Sequence, residues 1–127
     1  MPKSRSARIL VVAQHSALRD ALQAMLASAG HEVVETADAG VALVAYETVP
    51  ADVVFIDVLG PGRMDATSFL RQLRRKFPDA RVVTMAGRPS YREVDPLAVT
   101  AALGAAHTVR MPISRDELLR VVEEVRP

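Results

Sequence analysis

The chain has 127 residues, the length of one domain and enough to bury a hydrophobic core. Half of the residues are hydrophobic but only 4% are aromatic, so the core must be built mainly from Val, Leu, Ile, Ala and Met. The formal net charge of +1 argues against a nucleic-acid-binding module, which normally carries a clear basic excess. The absence of cysteine excludes disulfides, thiolate metal sites and cysteine nucleophiles.

The hydropathy pattern contains neither a membrane span nor a signal peptide. No apolar run approaches the roughly 20 residues that a spanning helix needs, and no cleavage-type segment follows the first apolar run. Two basic clusters, at 3–8 and 71–76, lack aromatic residues that could stack on bases, so we interpret them as solvated surface. We therefore expect a soluble, cytoplasmic protein that binds neither membranes nor nucleic acids directly.

The first half of the chain alternates between short apolar runs and amphipathic segments. Residues 8–13 and 31–36 are rich in β-branched residues and predict two strands. Apolar residues spaced by three and four predict helices over 16–29 and 38–47, and Gly30 is a plausible end signal for the first of them.

The second half continues this alternation. The predicted strands are 52–57, 80–85 and 106–110, and the predicted helices are 66–77, 96–103 and 114–125. Ser114 with Glu117 three residues later forms a capping box at the start of the last helix.

Five strands that alternate with five helices predict βαβ units with right-handed crossovers. The fold class is therefore α/β, with a five-stranded parallel sheet and helices on both faces. We expect residues 1–7 to be a flexible lead-in and 8–126 to form a single domain.

Asp57 ends a buried strand, the third of the five. Ligands of open α/β sheets bind in the crevice outside the carboxyl ends of the strands, so a carboxylate there indicates a site. A strand-end Asp also commonly hydrogen-bonds the turn that follows it. These residues by themselves leave both interpretations open.

Three stretches of the chain resemble the receiver domains of two-component response regulators: ARILVVAQ, DVVFIDVLGPG and LGAAHTVRMPISRDEL. The resemblance covers about residues 7–126 and implies a flavodoxin-like (βα)5 fold with sheet order 2-1-3-4-5. In that family a histidine kinase transfers a phosphoryl group to an Asp at the end of strand three, and Asp57 is the matching residue. The family also has a cis peptide before the proline that follows strand five, which predicts a cis Met111–Pro112 bond.

The two acidic residues that bind Mg²⁺ in the family are absent. Ala13 and Gln14 stand at their positions. Mg²⁺ is bound by oxygen ligands in near-octahedral geometry, often carboxylates, and Gln14 offers only a neutral carbonyl. We expect no metal site and no cofactor, with Mg²⁺ relevant only if other residues have rebuilt the site.

Three further positions of the family's site also depart from its pattern. Met85 stands where receivers have a Ser or Thr, although Thr84 is one residue away. Met111 replaces a lysine. Thr108, or His107 after a one-residue slip, replaces an aromatic switch residue.

These departures predict a degenerate receiver (a pseudo-receiver) that is not an enzyme. Phosphoryl transfer depends on positioning and on charge stabilisation, and methionine supplies no compensating charge. The resemblance implies protein–protein contacts through the fourth helix, fifth strand and fifth helix, with a histidine kinase, an output domain or a second copy as partner. The alternative is a working phospho-acceptor in which Arg63 or Arg88 reaches Asp57 from a loop. A third interpretation is a small-molecule-binding domain that uses the vacated crevice.

Overall fold

A computed structural model describes residues 6–58, 66–87 and 95–127. Strands and helices alternate along the chain in the predicted order. The elements are β1 (Arg8–Val12), α1 (Ser16–Ser28), β2 (Glu32–Thr36), α2 (Ala39–Thr48), β3 (Val53–Asp57), α3 (Ala66–Lys76), β4 (Val82–Ala86), α4 (Pro96–Ala102), β5 (His107–Arg110) and α5 (Arg115–Val125). The largest shift from the predicted bounds is at β4, which begins at Val82 rather than at Ala80. Ala80 donates its N–H to the carbonyl of Phe77 at 3.0 Å and so belongs to the turn after α3.

The five strands form one parallel sheet of order β2-β1-β3-β4-β5. This order and the fold class were predicted from the sequence, and both are confirmed. In the ranges that the structure describes, no helix is both long enough and apolar enough to cross a membrane.

The central strands send alternate side chains into two separate cores. One core holds Val11 and Phe55 with residues of α1 and α5. The other holds Leu10 and Val54 with residues of α2 and α3. Helices therefore cover both faces of the sheet, as predicted, because a strand that is apolar on both sides must be buried on both sides.

Local sequence signals define several helix ends. Ser114 Oγ accepts a hydrogen bond from the N–H of Glu117 at 3.2 Å, the contact that the capping box predicts. Gly30 and Gly104 follow α1 and α4 with φ of +89° and +100°, a left-handed conformation that glycine adopts without steric cost.

Ala7 corrects the predicted start of the domain. The sequence places it in the flexible lead-in, but it is fully buried and belongs to the core formed with α1 and α5. Its N–H donates to His31 Nδ1 at 3.0 Å, and its carbonyl accepts from the N–H of Glu32 at 2.9 Å. The rest of the predicted lead-in, except Ser6, lies outside the described residues.

His31 connects the loop before β2 to the start of β1. Burial lowers the pKa of His31, nearby Arg126 acts in the same direction, and Glu123 opposes them. Its Nδ1 must also be unprotonated to accept the Ala7 N–H. The folded state therefore binds fewer protons at this site than the unfolded chain, so this contribution to stability is complete above the unfolded pKa. It is lost as the pH falls through about 6.5 and then through the lower folded pKa.

We expect His31→Gln to flatten the pH dependence of the unfolding free energy between about pH 7.5 and pH 5. Urea unfolding at a series of pH values measures this slope. The wild-type protein, measured in parallel under the same conditions, provides the reference slope. A His31→Gln protein with an unchanged slope would contradict the assignment.

Candidate functional site

Asp57 lies at the edge of the sheet where the carboxyl ends of the strands meet. The register places it beside Met85 of β4, and Met85 lies beside Val109 of β5. The N–H of Val58 donates to the Met85 carbonyl at 2.9 Å, so β3 and β4 remain paired up to this point. Asp57 is half-buried.

Two methionines lie near this edge in one apolar core. Met85 is fully buried in the core formed with α1 and α5, and Met111 packs against the same core while remaining half-buried. Ala13 is buried at the end of β1. Met85, Met111 and Ala13, which the resemblance aligns with a hydroxyl, an ammonium and a carboxylate group of the family, therefore present apolar side chains here.

Arg19 of α1 was missed by the sequence analysis. Its Nη1 donates to the backbone carbonyl of Ala13 at 2.8 Å and lies 3.3 Å from that of Gln14. A guanidinium does not lose its proton in proteins, so this positive charge is permanent. It lies against the backbone of Ala13 and Gln14, the two residues that the resemblance aligns with the family's metal-binding positions. No sequence motif marks Arg19, because an Arg near the start of a helix does not by itself indicate a particular chemistry.

The described residues at this edge offer a donor set that does not fit Mg²⁺. That ion needs several oxygen ligands in octahedral geometry. Ala13 has no side-chain oxygen, Gln14 contributes only an exposed amide, and Arg19 occupies the nearby carbonyls. Across the described parts of the chain, no group of three or more His, Asp or Glu side chains could hold a metal ion. Arg63 and Arg88, the candidates for rebuilding the site, lie outside the described residues.

Thr84 does not supply the hydroxyl that Met85 lacks. It is fully buried on the opposite face of β4, with its Oγ1 2.8 Å from Oγ1 of Thr100 in α4. Thr100 donates its own hydrogen to the carbonyl of Leu97 at 3.1 Å, so Thr84 is the donor between the two threonines. Thr108, at the family's switch position, lies beside Thr84 in the sheet. The Thr84 hydroxyl therefore holds α4 against β4.

The alternative switch candidate, His107, is half-buried at the start of β5. It lies beside Val83 in the register, two residues before Met85 on β4. His107 is therefore farther than Thr108 from the carboxyl ends of the strands.

Arg110 is directed towards the start of α4, in agreement with the alternation of side chains along β5. Its Nη1 donates to the carbonyl of Gly87 at 2.7 Å, and its Nη2 forms an ion pair with Asp95. The hydrogen bond from Arg110 lowers the pKa of Asp95, and the bond from the Leu97 N–H acts in the same direction. Arg110 thereby connects β5 to the end of β4 and to the N-cap of α4.

The Met111–Pro112 peptide bond is cis, the isomer that the sequence predicted. Before this bond, Met111 donates its N–H to the carbonyl of Ala86 at 2.8 Å, which extends the pairing of β5 with β4. The chain then turns towards Ser114, the N-cap of α5.

The sequence profile of the response regulator receiver domain matches residues 9–123. The chain therefore belongs to the response-regulator receiver domain family, whose members are signalling domains of two-component systems. The sensory transduction protein RegX3 of Mycobacterium tuberculosis H37Rv is 32% identical over 117 residues, covering 92% of this chain and 49% of RegX3. The response regulator protein FleR of Pseudomonas aeruginosa PAO1 is also 32% identical over 117 residues, covering 92% of this chain and 24% of FleR. The chain thus spans about half the length of the first relative and about a quarter of the second.

Solved structures with the same fold include NtrX from Brucella abortus, with a TM-score of 0.85 and 28% identity over 95% of this chain and 27% of NtrX. The separate receiver domain of NtrX gives a TM-score of 0.83 and 28% identity over 91% of this chain and 95% of that domain. The chemotaxis protein CheY4 of Vibrio cholerae gives 0.81 at 24% identity, over 95% and 99% of the two chains, and supports the fold alone.

The direction of the Thr84–Thr100 hydrogen bond predicts which of two valine substitutions destabilises the protein more. Thr100→Val leaves the Thr84 hydroxyl buried without its acceptor and is expected to lower the unfolding free energy by about 1–3 kcal/mol. Thr84→Val removes the donor, while Thr100 still bonds Leu97, and should cost about 1 kcal/mol. Urea unfolding of both variants and of the double variant measures the difference. If Thr84→Val lowers the unfolding free energy more than Thr100→Val does, Thr100 and not Thr84 is the donor in this hydrogen bond.

Proposed function

We propose that this domain is a degenerate receiver that signals by protein–protein contact, with weak or absent Mg²⁺-dependent phosphorylation of Asp57. The observation that carries the proposal is the contact of the Arg19 guanidinium with the carbonyls of Ala13 and Gln14. A permanent cation beside these positions opposes the binding of a divalent cation by Coulomb repulsion.

The apolar surroundings of Asp57 support the same proposal. An aspartyl phosphate would carry about two negative charges in place of the single charge of the carboxylate. Stabilisation of such charge by cations and hydrogen-bond donors provides most of the catalysis in phosphoryl transfer. Met85 and Met111 provide dispersion contacts in place of a hydroxyl and an ammonium group.

The surface proposed to contact a partner is formed by α4, β5 and α5. A shallow depression of about 420 Å³ lies along β5 and α5. Exposed charges of both signs line it, namely Arg110, Glu117, Arg120 and Glu124. A polar rim of this kind is common at protein interfaces that form and dissociate. We propose a histidine kinase or an output domain as the partner.

Acetyl phosphate with Mg²⁺, followed by intact-mass measurement, tests the proposed loss of phosphorylation. We expect no gain of one phosphoryl group, because neither the metal ligands nor the lysine are in place. The control is the variant Ala13→Asp/Gln14→Asp/Met85→Thr/Met111→Lys, which is expected to gain the phosphoryl group once circular dichroism shows that it is folded. A Mg²⁺-dependent gain by the native chain that disappears in Asp57→Asn would establish the alternative, a working phospho-acceptor.

Asp57→Asn is expected to change the unfolding free energy by no more than about 1 kcal/mol, the scale of a modest change in hydrogen bonding. It should also preserve signalling in the cell, measured on the transcripts that change when the gene is deleted. Arg120→Glu, which reverses an exposed charge on α5, is the comparison and is expected to alter those transcripts. If Asp57→Asn abolishes the output while the protein remains folded, Asp57 is still a switch.

A further inference from the structure

Exposed valines are concentrated on β2 and α2. Within the described ranges, five large hydrophobic residues are exposed, and four of them lie on β2, on α2 or at the C-cap of α2: Val34 (45%), Val41 (56%), Val44 (63%) and the C-cap residue Val49 (46%). We call these four residues the valine surface. The fifth is Val99 of α4 at 37%. The outer side of a helix that covers a sheet is normally polar, so apolar residues on the outside of α2 indicate a contact surface.

The valine surface adjoins a groove at the border of the sheet. A cavity of about 350 Å³ lies between α2 and the strands β1 and β2, with Val34, Ala45 and Val49 in its mainly apolar lining. At one end of the groove, Arg8 and Glu32 form an exposed ion pair at 3.2 Å. The side of β2 that faces α2 is therefore incompletely covered.

β2 is also an edge strand, with β1 on one side only. The N–H of Glu32 donates to the carbonyl of Ala7 at 2.9 Å, and the carbonyl of Thr36 accepts from the N–H of Ala13 at 3.1 Å. Residues of a strand in a parallel ladder bond alternately to one side and then to the other. Glu32, Val34 and Thr36 therefore bond to β1.

It follows that Val33 and Glu35 direct their backbone N–H and C=O groups towards the outer edge of the sheet. Val33 and Glu35 are two positions apart in the chain. Their outward backbone groups form the shortest stretch of edge to which an added antiparallel strand can hydrogen-bond in a regular ladder. An edge of this kind is a template for pairing with another strand unless it is protected.

We propose that two copies of this domain join through β2, antiparallel, about a two-fold axis that passes between the two Val34 residues. In this arrangement Val33 of each copy exchanges both backbone hydrogen bonds with Glu35 of the other copy. The two Val34 residues then form the non-hydrogen-bonded pair, in which facing side chains are closest. The product is a continuous ten-stranded sheet, and the interface is isologous.

The charges on β2 fit this register. Glu32 lies opposite Thr36 of the other copy, and Glu35 lies opposite Val33, so no two glutamates face each other directly. A register centred on Glu35 would place two like charges opposite one another, which is destabilising. A register centred on Val33 would leave Thr36 outside the ladder. The register centred on Val34 pairs the whole of β2.

The same symmetry accounts for the valine surface. A two-fold axis perpendicular to the sheet keeps both α2 helices on one face, on either side of the Val34 pair. The two valine surfaces then remove each other from water, which is favourable in proportion to the apolar area buried. A single strand from another protein would satisfy the edge of β2 but would bring no second α2 to cover the valines. This difference favours a second copy as the occupant.

Analytical ultracentrifugation over a range of protein concentrations tests for the dimer. We expect Val44→Glu, on the outer side of α2, to raise the dimer dissociation constant at least tenfold. Val99→Glu, the matched change of an exposed valine on α4, is expected to leave it unchanged. A monomer at all concentrations, or a dimer weakened by Val99→Glu and not by Val44→Glu, would overturn the proposal. Capture of a foreign strand by a monomer would overturn it as well.

Cysteine cross-linking tests the register independently. The chain has no cysteine, so Val34→Cys introduces a single thiol. In the proposed pair the two Cα atoms at position 34 are about 4.5 Å apart, within the range that a disulfide spans. Mild oxidation should give a covalent dimer with Val34→Cys and none with Val99→Cys. The reverse result would place the interface at α4. Neither experiment depends on phosphorylation of Asp57.

Discussion

Burial of β1 and β3 on both sides is the constraint on which the rest of the structure depends. Each strand alternates apolar side chains between two cores, and complete burial of one such side chain contributes about 1.5–3 kcal/mol. Two-sided burial requires helices on both faces, and parallel strands require those helices as crossovers. Because all five strands run in one direction, their carboxyl ends meet at one edge. That edge is where Asp57 lies.

At and near the carboxyl ends of the strands, several polar side chains have partners within the protein itself. Thr84 bonds Thr100, Arg110 binds Asp95 and the carbonyl of Gly87, and Arg19 binds carbonyls at the end of β1. These contacts hold α1, α4 and β5 to the sheet. A domain with these fixed connections is well suited to presenting a constant surface to a partner, which is the basis of the function proposed here.

The two edges of the sheet differ in chemical character. Around β5 the exposed groups include charges of both signs, from β5 itself and from α5. Beside β2 the exposed groups include the valine surface. Open sheets must protect both edges from uncontrolled pairing. Charge protects an edge by keeping it hydrated, and β2 carries the exposed Glu32 and Glu35, whereas the exposed valines beside β2 are removed from water only when another surface covers them. Each edge therefore favours a different kind of contact.

The sequence by itself determined the order of the elements, the parallel sheet and the position of Asp57 at a strand end, and its resemblance to receiver domains implied the cis bond before Pro112. Each of these follows from short-range patterns: periodicity, turn residues and a local motif. Only the tertiary structure decided that Arg19 lies on the β1 carbonyls, that Thr84 faces Thr100, and that Ala7 belongs to the core. The same holds for the exposed valines of α2, which the sequence pattern does not distinguish from buried ones. The physical reason is that these features depend on contacts between residues that are distant in the chain or on neighbouring elements, and a local pattern does not specify which surface meets which.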